Sequence, residues 1–585
     1  MAAPLVAFVT SPDARAAIVP ADGAAVRPPA GPGGSVDAGV HPAVDAAVVL
    51  PLGEAVRRVA ELVEAGAARF TWWAAGIDAA PLVAARVPVA RCWDVAEAHR
   101  LLLGGWDASP QVAWAAAHGL DRGGLPPASR GDLFDFHATD DDPVDVVVRP
   151  DGYLVPDAGS PQWRPTDEAL VAWGRAALDC ATAQAAALDR LGPRSVAAAH
   201  SESAAAYLCV ELTRDGLPID REVARELIEA SAGARPTDEA DARRIRAGRD
   251  AAVLAHTPGR ESTDLRNPVQ VRELLASVGV VVPNTRKWVL EPFRETHSVV
   301  GALLEWRKAE RIATTYGHTW LDTHVGPDDR LRGGWTACDG AAGRMTAQNG
   351  LHNLPAALRP AVAAHPGHVF VRADLGQIEP RVLAVVAGDA SFAAATRADD
   401  LYAPVAATLG VDRPVAKIAV LAAMYGQRSG AAGEALKGLE RAYPVAMGYL
   451  DGAYAAGVRR EPLRTYGGRL IRLDQVLSDV PVEGAAAHDA ARGRFARNAV
   501  IQGSAAELFK AWAATVRATT RDLGAQIVLC LHDELLVHVP EQHAEEARAR
   551  VVAALDDSAR RWTGSTQVRF VADASVIRRW SEAKE

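Results

Sequence analysis

Near the C-terminal end two apolar runs, Ile527–Leu531 and Leu535–Val539, are separated by His532, Asp533 and Glu534 and stopped by Pro540. Short apolar runs bounded by a polar break and a proline predict a β-hairpin. Three ionisable groups at its centre are costly to bury, so they mark either an ordinary exposed turn or a site. A second run, "VFVRADLGQIEPRVLAVVAGD", begins as a strand and switches after Asp374 to helical spacing, with Ile378, Val382, Val385 and Val386 able to face a core. Between these two, "DRPVAKIAVLAAMYGQ" reads as a helix that carries Arg413, Lys417, Leu421 and Tyr425 on one stripe and stops at Gly426.

The rest of the chain gives coarser signals. Residues 1 to about 190 mix β-rich runs ("AAVVL", "VDVVV") with helical stretches, a loop-like segment at 28–39 and a solvated acidic turn at 137–145. From about 200 the pattern turns helical: residues 201–220 show helical spacing and end in Gly216, Leu217 and Pro218, and a further helix is predicted over 298–320. A strand at 367–374, helices from about 377 to 460, a turn-rich hairpin at 465–474 and a helix at 491–516 follow, with no repeat period. The reading is an α/β N-terminal domain followed by an α+β domain, with a long helical insertion between two sheet-borne acidic sites.

Length and composition narrow the class. With 585 residues, 49% hydrophobic and 23% charged, the chain is expected to form two to four packed units. Its five cysteines stand singly, which argues against disulfides and structural zinc and for a reducing compartment. With no basic leader at the N-terminus and no apolar run of about 18 residues, a cytoplasmic protein with no membrane partner is expected. The net charge of -9 argues against a nucleic-acid partner, although a large enzyme can hold a basic groove within an acidic surface. Only six of the 63 basic residues are lysines, so each retained lysine, Lys417 among them, carries more information than usual.

The chemistry follows from the acids. Alone, Asp374 reads equally well as a helix N-cap, and His532-Asp533-Glu534 as an exposed turn. Placed on adjacent strands of one sheet, Asp374 and Asp533 would hold two divalent cations roughly 4 Å apart, the arrangement suited to in-line phosphoryl displacement. Carboxylate oxygens with no soft ligand nearby favour Mg²⁺. The Arg413–Tyr425 stripe reads either as a solvated basic start with a buried end or as a triphosphate clamp. In the second reading Lys417 is a donor able to lose a proton, which arginine is not.

At these residues the chain resembles the family A DNA polymerases of the bacterial polymerase I type, in particular the actinobacterial bifunctional 3′-5′ exonuclease/polymerase group, over about residues 190 to 585. "DLGQIEPR" is similar to motif A, "RPVAKIAVLAAMYG" to motif B and "LHDE" to motif C. "GRMTAQNGLHNLP", "RNAVIQGSAAELFK" and "RRWSEAKE" match in family order. The resemblance implies an exonuclease-like, ribonuclease H-like α/β domain at 1–190 and a right-hand polymerase domain at 191–585. Its thumb would span about 200–330, its palm about 331–385 and 490–585, and its fingers about 386–489.

It further implies a monomeric, DNA-templated DNA polymerase for repair or replication. Its partners would be primer-template DNA and deoxynucleoside triphosphates, and its cofactors two Mg²⁺ ions that Mn²⁺ can replace. Asp374 and Asp533 would hold the metals, with Glu534 a third acid. Arg413 and Lys417 would bind the triphosphate, and Lys417 would protonate the pyrophosphate. Gln377 and Leu421 would line the nucleotide site, Glu379 against Tyr425 would exclude a ribose 2′-hydroxyl, and Tyr425 would close on the templating position. Arg344, Asn498 and Gln502 would contact the minor groove and template, and His532 the primer end. Leu421 and Leu375 stand where the family has aromatic residues, and Tyr402 where it often has histidine, so altered sugar discrimination is expected.

In the N-terminal region the first strand, "LVAFVTSPDA", lacks the D-x-E pair of an exonuclease. Asp94 and Asp179 look like its second and third aspartates, and Arg175 replaces the tyrosine expected before the latter. An inactive scaffold is expected, and the chain is too short to include the family's 5′-nuclease domain. The alternatives are a metal-dependent 3′-5′ exonuclease, which leaves the Arg413–Tyr425 stripe unexplained, a single-subunit RNA polymerase, which Glu379 opposes, and an inert DNA-binding factor, which the joint presence of Asp374, Lys417 and Asp533 opposes.

Overall fold

The computed structural model describes residues 3–21, 46–127, 146–426, 432–473 and 485–583. The loop expected at 28–39 and the acidic turn expected at 137–145 lie outside the described residues, as do Gln427 and Lys584. The chain forms two compact units, one from Met1–Asp215, Gly334–Thr346 and Val371–Val576, the other from Gly216–Gly333, Ala347–Phe370 and Ile577–Glu585. No helix among the described residues is long and apolar enough to cross a membrane.

The first unit is organised around two larger sheets, of five and four strands. Strands β1 (Leu5–Ser11), β2 (Arg15–Pro20), β3 (Val48–Pro51), β4 (Arg69–Trp72) and β5 (Cys92–Asp94) lie in the order β3-β2-β1-β4-β5. β1 pairs antiparallel with β2 and parallel with β4. Its continuous apolar run is buried from Val6 to Val9, as expected of a central strand covered on both faces. The helix Asp167–Leu191 packs against it, N-capped by Thr166. A Cβ at Gly174 would lie 2.7 Å from Val19 Cγ2, so glycine is what lets this helix approach the sheet so closely. The helix-rich part of the chain therefore begins near 167, earlier than the spacing near 200 suggests. In the described part of the run "VDVVV", residues 146–148, Val148 forms an isolated bridge to Leu154.

The second sheet holds β6 (His368–Leu375), β7 (Gln526–Leu531), β8 (Glu534–Pro540) and β9 (Ala572–Ile577) in the order β7-β8-β6-β9. In the β7/β8 hairpin Leu531 pairs with Glu534, which leaves His532 and Asp533 as a two-residue turn. His532 has φ 56°, the left-handed region that short hairpin turns require and that costs a non-glycine residue about 1 kcal/mol. Around this sheet run the helices Ile378–Ala387, Tyr402–Leu409, Arg413–Tyr425 and Ala485–Thr519. Gly426 ends the third at φ 70°, the stop its sequence predicts.

Buried charge fixes the helix Pro193–Asp215 to this sheet's long helix. Lys510 Nζ donates to Glu202 at 2.5 Å, Arg469 meets the same carboxylate at 2.7 Å, and Arg517 grips Glu211 at 2.6 and 2.8 Å. Such ions are costly to bury singly, so the pairing specifies one arrangement of the helix Pro193–Asp215 against Ala485–Thr519.

The second unit has its own core of Val271, Leu274, Leu275, Val299, Val300 and Leu303. Arg579 closes it by an ion pair to Asp220 at 2.8 Å. The helix predicted over 298–320 ends at Thr315, and a new one runs from His318 to His324. Tyr316 and Gly317 depart from helical geometry between them, and a Cβ at Gly317 would lie 2.9 Å from the Ala313 carbonyl oxygen.

Candidate active site

Asp374 lies near the end of β6 and Asp533 on the β7/β8 turn, on neighbouring strands joined where the Leu375 amide donates to the Asp533 carbonyl at 2.9 Å. The two carboxylates feel each other. Asp374 is pushed up to about 6, chiefly by burial and then by the charge of Asp533, with Arg372 opposing. Burial raises Asp533 as well. Two non-glycine residues at positive φ flank the pair, His532 at φ 56° and Gln377 at the same φ as N-cap of the Ile378–Ala387 helix. His532 has the conformation its two-residue turn requires, whereas Gln377, which the hairpin does not account for, is the position that points to a site.

A cavity of about 190 Å³ opens beside Asp533. Arg344, Gln377, Glu379, Tyr402, Leu421, Gln502 and His532 line it, so seven residues scattered over nearly 200 positions meet at one place. Glu379 is fixed from two sides: Arg344 donates to Oε1 at 3.0 Å, and the Tyr425 hydroxyl donates to Oε2 at 3.3 Å. Burial raises Glu379, and these two donors oppose the rise. Burial also raises Tyr402, to about 12, with the Glu379 charge adding to it. His532 is exposed, yet desolvation and then Arg344 lower its pKa.

The Arg413–Tyr425 helix presents Lys417 to solvent and Leu421 to the cavity. Arg413 is already engaged, its Nε donating to Asp400 Oδ2 at 2.5 Å and its guanidinium lying 5.8 Å above the Tyr402 ring. Asp400 also accepts from Gln377 Nε2 at 2.9 Å, while the Gln377 carbonyl accepts the Leu401 amide at 2.8 Å. Gln377 is thus a brace between the strand end and the 400–402 turn, and its amide is occupied within the protein. Asn498 is half-buried on the long helix.

Glu534 differs from its two neighbours. Arg372 Nε donates to Glu534 Oε1 at 2.9 Å, and Arg372 NH2 donates to Asp374 Oδ2 at 3.3 Å. Among the described residues no three His, Cys, Asp or Glu side chains converge into a group able to hold a metal ion. Arg372 and Asp400 escaped the sequence reading, since each acts across strands or loops and neither lies in a periodic pattern. The only local signal for Arg372 is its place two residues before Asp374, on the same face of the strand.

The N-terminal acids are arranged otherwise. Asp94 caps the helix Val95–Leu103 by accepting the Glu97 amide at 2.9 Å, and its other oxygen accepts from the Ala75 amide at 2.7 Å and Trp72 Nε1 at 3.2 Å. It is buried, and desolvation followed by the Glu97 charge pushes it up to about 7. Asp179 is exposed on the helix Asp167–Leu191. The acid that faces β1 is instead Asp78, which accepts from the Thr10 amide, the Thr10 hydroxyl and the Trp73 amide at 2.9, 3.0 and 3.1 Å.

Comparison with known proteins identifies the family. The family model for DNA polymerase family A matches residues 259–582. DNA polymerase I of Chloroflexus aurantiacus is 31% identical over 289 residues, 44% of this chain and 30% of the relative. The thermostable DNA polymerase I of Thermus filiformis is 28% identical over 331 residues, 52% of this chain and 38% of the relative. The matched part thus spans about a third of those curated relatives' length. The POL domain of Pol1 from M. smegmatis, solved in complex with DNA primer-template and dNTP, superposes with a TM-score of 0.66 at 19% identity, covering 99% of this chain and 96% of that one. At that identity the likeness is one of fold. With the family model matching more than half of its length, the chain belongs to DNA polymerase family A.

Proposed function

We propose that the protein extends the 3′ end of a DNA primer, directed by a template strand, by transferring the nucleotidyl group of a deoxynucleoside triphosphate. The observation that carries this reading is the cavity in which Glu379, Leu421, Gln502, His532 and Asp533 meet. Family membership supports it, as does the primer-template and dNTP with which the M. smegmatis domain was solved. Asp374 and Asp533 offer hard carboxylate oxygens whose mutual repulsion a divalent cation would relieve, which fits Mg²⁺ or Mn²⁺. Asp374 and Asp533 would hold such a cation, which would supply Lewis-acid chemistry for the primer 3′-hydroxyl and counter-charge for the departing pyrophosphate.

The protein's own groups do the rest. Arg413 and Lys417 hold the triphosphate. As the primer oxygen bonds to the α-phosphorus and the bond to pyrophosphate breaks, Lys417 Nζ gives its proton to the leaving oxygen, a transfer an arginine in its place could not make. Glu379, braced by Arg344 and Tyr425, fills the space a ribose 2′-hydroxyl would need. Tyr425 closes over the templating base, and Arg344, Asn498 and Gln502 read acceptor atoms common to all correct pairs. His532 meets the primer end, and Gln377 shapes the site by bracing the 400–402 turn.

In this reading residues 1–190 are an exonuclease-like scaffold without a working metal site. Residues of about 200–330 form the thumb, about 331–385 and 490–585 the palm and about 386–489 the fingers of a monomer that serves repair or replication in the cytoplasm. The test is primer extension with Mg²⁺ beside an Asp533→Asn control and a single-strand degradation assay. Extension by the parent, none by the variant and no degradation by either are expected. A parent that fails to extend overturns the reading, and degradation overturns the scaffold assignment. Leu421→Phe is expected to change discrimination against dideoxynucleotides, measured as a ratio of kcat/KM values.

A further inference from the structure

Arg372 is a cation set among three acids at the end of the second sheet. It lies on β6, the strand flanked by β8 with Glu534 and by β9 with Asp573. Its guanidinium reaches all three acids: Nε to Glu534 at 2.9 Å, NH2 to Asp374 at 3.3 Å and NH1 to Asp573 at 3.7 Å. The Arg372 and Glu534 side chains are each 11% exposed, against 31% for Asp374 and 73% for Asp573. The short, well-shielded bond is therefore the one to Glu534, and the contact with Asp374 is the looser one.

We propose that Arg372 is a positioning residue that holds Glu534 away from the metal-binding face and sets the affinity of Asp374 and Asp533 for a divalent cation. Two physical effects act together. A fixed guanidinium beside Asp374 repels an incoming cation and supplies part of the counter-charge the acids need before one arrives. The charge-assisted bond to Glu534 also keeps the third carboxylate turned along the sheet, because a bond between two shielded ions is strong enough to fix a rotamer. Asp374 and Asp533 would then hold the cation without Glu534. A lysine could not reproduce this, since one ammonium cannot reach along the strand to Asp374 and across it to Glu534 with a fork's geometry. The consequence for catalysis rests on the polymerase reading, whereas the binding consequence does not.

The experiment measures Mn²⁺ binding to the full chain by electron paramagnetic resonance, without DNA or nucleotide, in the parent, Arg372→Met, Glu534→Gln and the double variant. Arg372→Met is expected to bind Mn²⁺ about tenfold more tightly, as removal of one nearby charge predicts. Glu534→Gln is expected to stay within about threefold of the parent, and the double variant to lose most of the gain if the released Glu534 supplies it. Melting without metal reports folding: Arg372→Met is expected to melt lower than the parent and recover with Mn²⁺, while the double variant guards against a single variant that does not fold. Unchanged or weaker Mn²⁺ binding by both Arg372 variants overturns the proposal, as does a tenfold loss in Glu534→Gln. Primer extension by the parent is scored separately. Extension with no Mn²⁺ shift sinks this inference alone, and a shift with no extension sinks only the polymerase reading.

Discussion

Two sets of acids in the same compact unit, one buried and one half-buried, differ in what their oxygens already touch. Around Asp94 and Asp78 both carboxylate oxygens accept hydrogen bonds from fixed amides, an indole or a hydroxyl. At Asp374, among the described residues, the only side-chain donor is the long contact from Arg372, and Asp533 sits on a turn beside a cavity. Burial raises the pKa in both places, so a perturbed acid alone does not identify a reactive site. The discriminating feature is remaining acceptor capacity directed at a space a ligand can enter.

The largest test of this contrast is Asp533→Asn. Primer extension is expected to fall by about a thousandfold or more, since the change removes one of two carboxylates that a phosphoryl-transfer site needs. Melting in the absence of metal is expected to stay level or rise, because a repulsive partner of Asp374 is removed. A variant that melts well below the parent would place Asp533 with the structural acids.

Asp94→Ala is expected to do the opposite. It leaves the Glu97 and Ala75 amides and the Trp72 indole without their acceptor in a buried place. Each buried donor left so costs about 1–3 kcal/mol, so a loss on the order of 4 kcal/mol in urea unfolding is expected. Extension per folded molecule is expected to be unchanged. Asp179→Ala, at an exposed helix position, is expected to stay within about 0.5 kcal/mol of the parent.

The same acid gives a pH test. Folding raises Asp94 to about 7, above the range of an unfolded aspartate. The folded state therefore holds the proton more tightly, and its contribution to stability is fully present below about pH 4 and lost as pH rises through about 7. Asp94→Asn cannot titrate, so its stability difference from the parent is expected to shift in the variant's favour by about 3–4 kcal/mol between pH 4 and pH 7.5. Parallel stability curves for parent and variant would mean that Asp94 keeps its charge and that its three donors outweigh its burial.

The contrast also explains what the sequence could disclose. Asp374 and Asp533 stand out because each ends a strand-like run, and strand ends follow from local alternation. The Arg413–Tyr425 stripe and its Gly426 stop are equally local. Asp94 is followed three residues later by Glu97, the spacing of an N-cap, a local signal that the sequence reading passed over in favour of the likeness to an exonuclease aspartate. Arg372, Asp400 and Asp78 acquire meaning only from partners 162, 13 and 68 positions away, and no window of sequence brings those together. The helix Asp167–Leu191 is masked in the sequence by its alanines, which blur the contrast between its faces.

The smallest expected effect tests whether a satisfied acid can also lie within the site. Asp400 accepts from Arg413, Gln377 and the Tyr402 amide, and its pair with Arg413 is partly exposed, 52% on the arginine side and 33% on the aspartate side. Burial works against its ionisation, yet the Arg413 and backbone bonds win and hold the carboxylate below its usual range. A triphosphate recruiting Arg413 must compete with this carboxylate. Exposed pairs of this kind are worth about 0.5–1 kcal/mol, so Asp400→Asn is expected to lower the nucleotide KM by about two- to fivefold with little change in kcat. A KM that rises instead would show that Asp400 aims Arg413 at the phosphates rather than competing for it, and would move this acid from the structural set to the nucleotide-binding one.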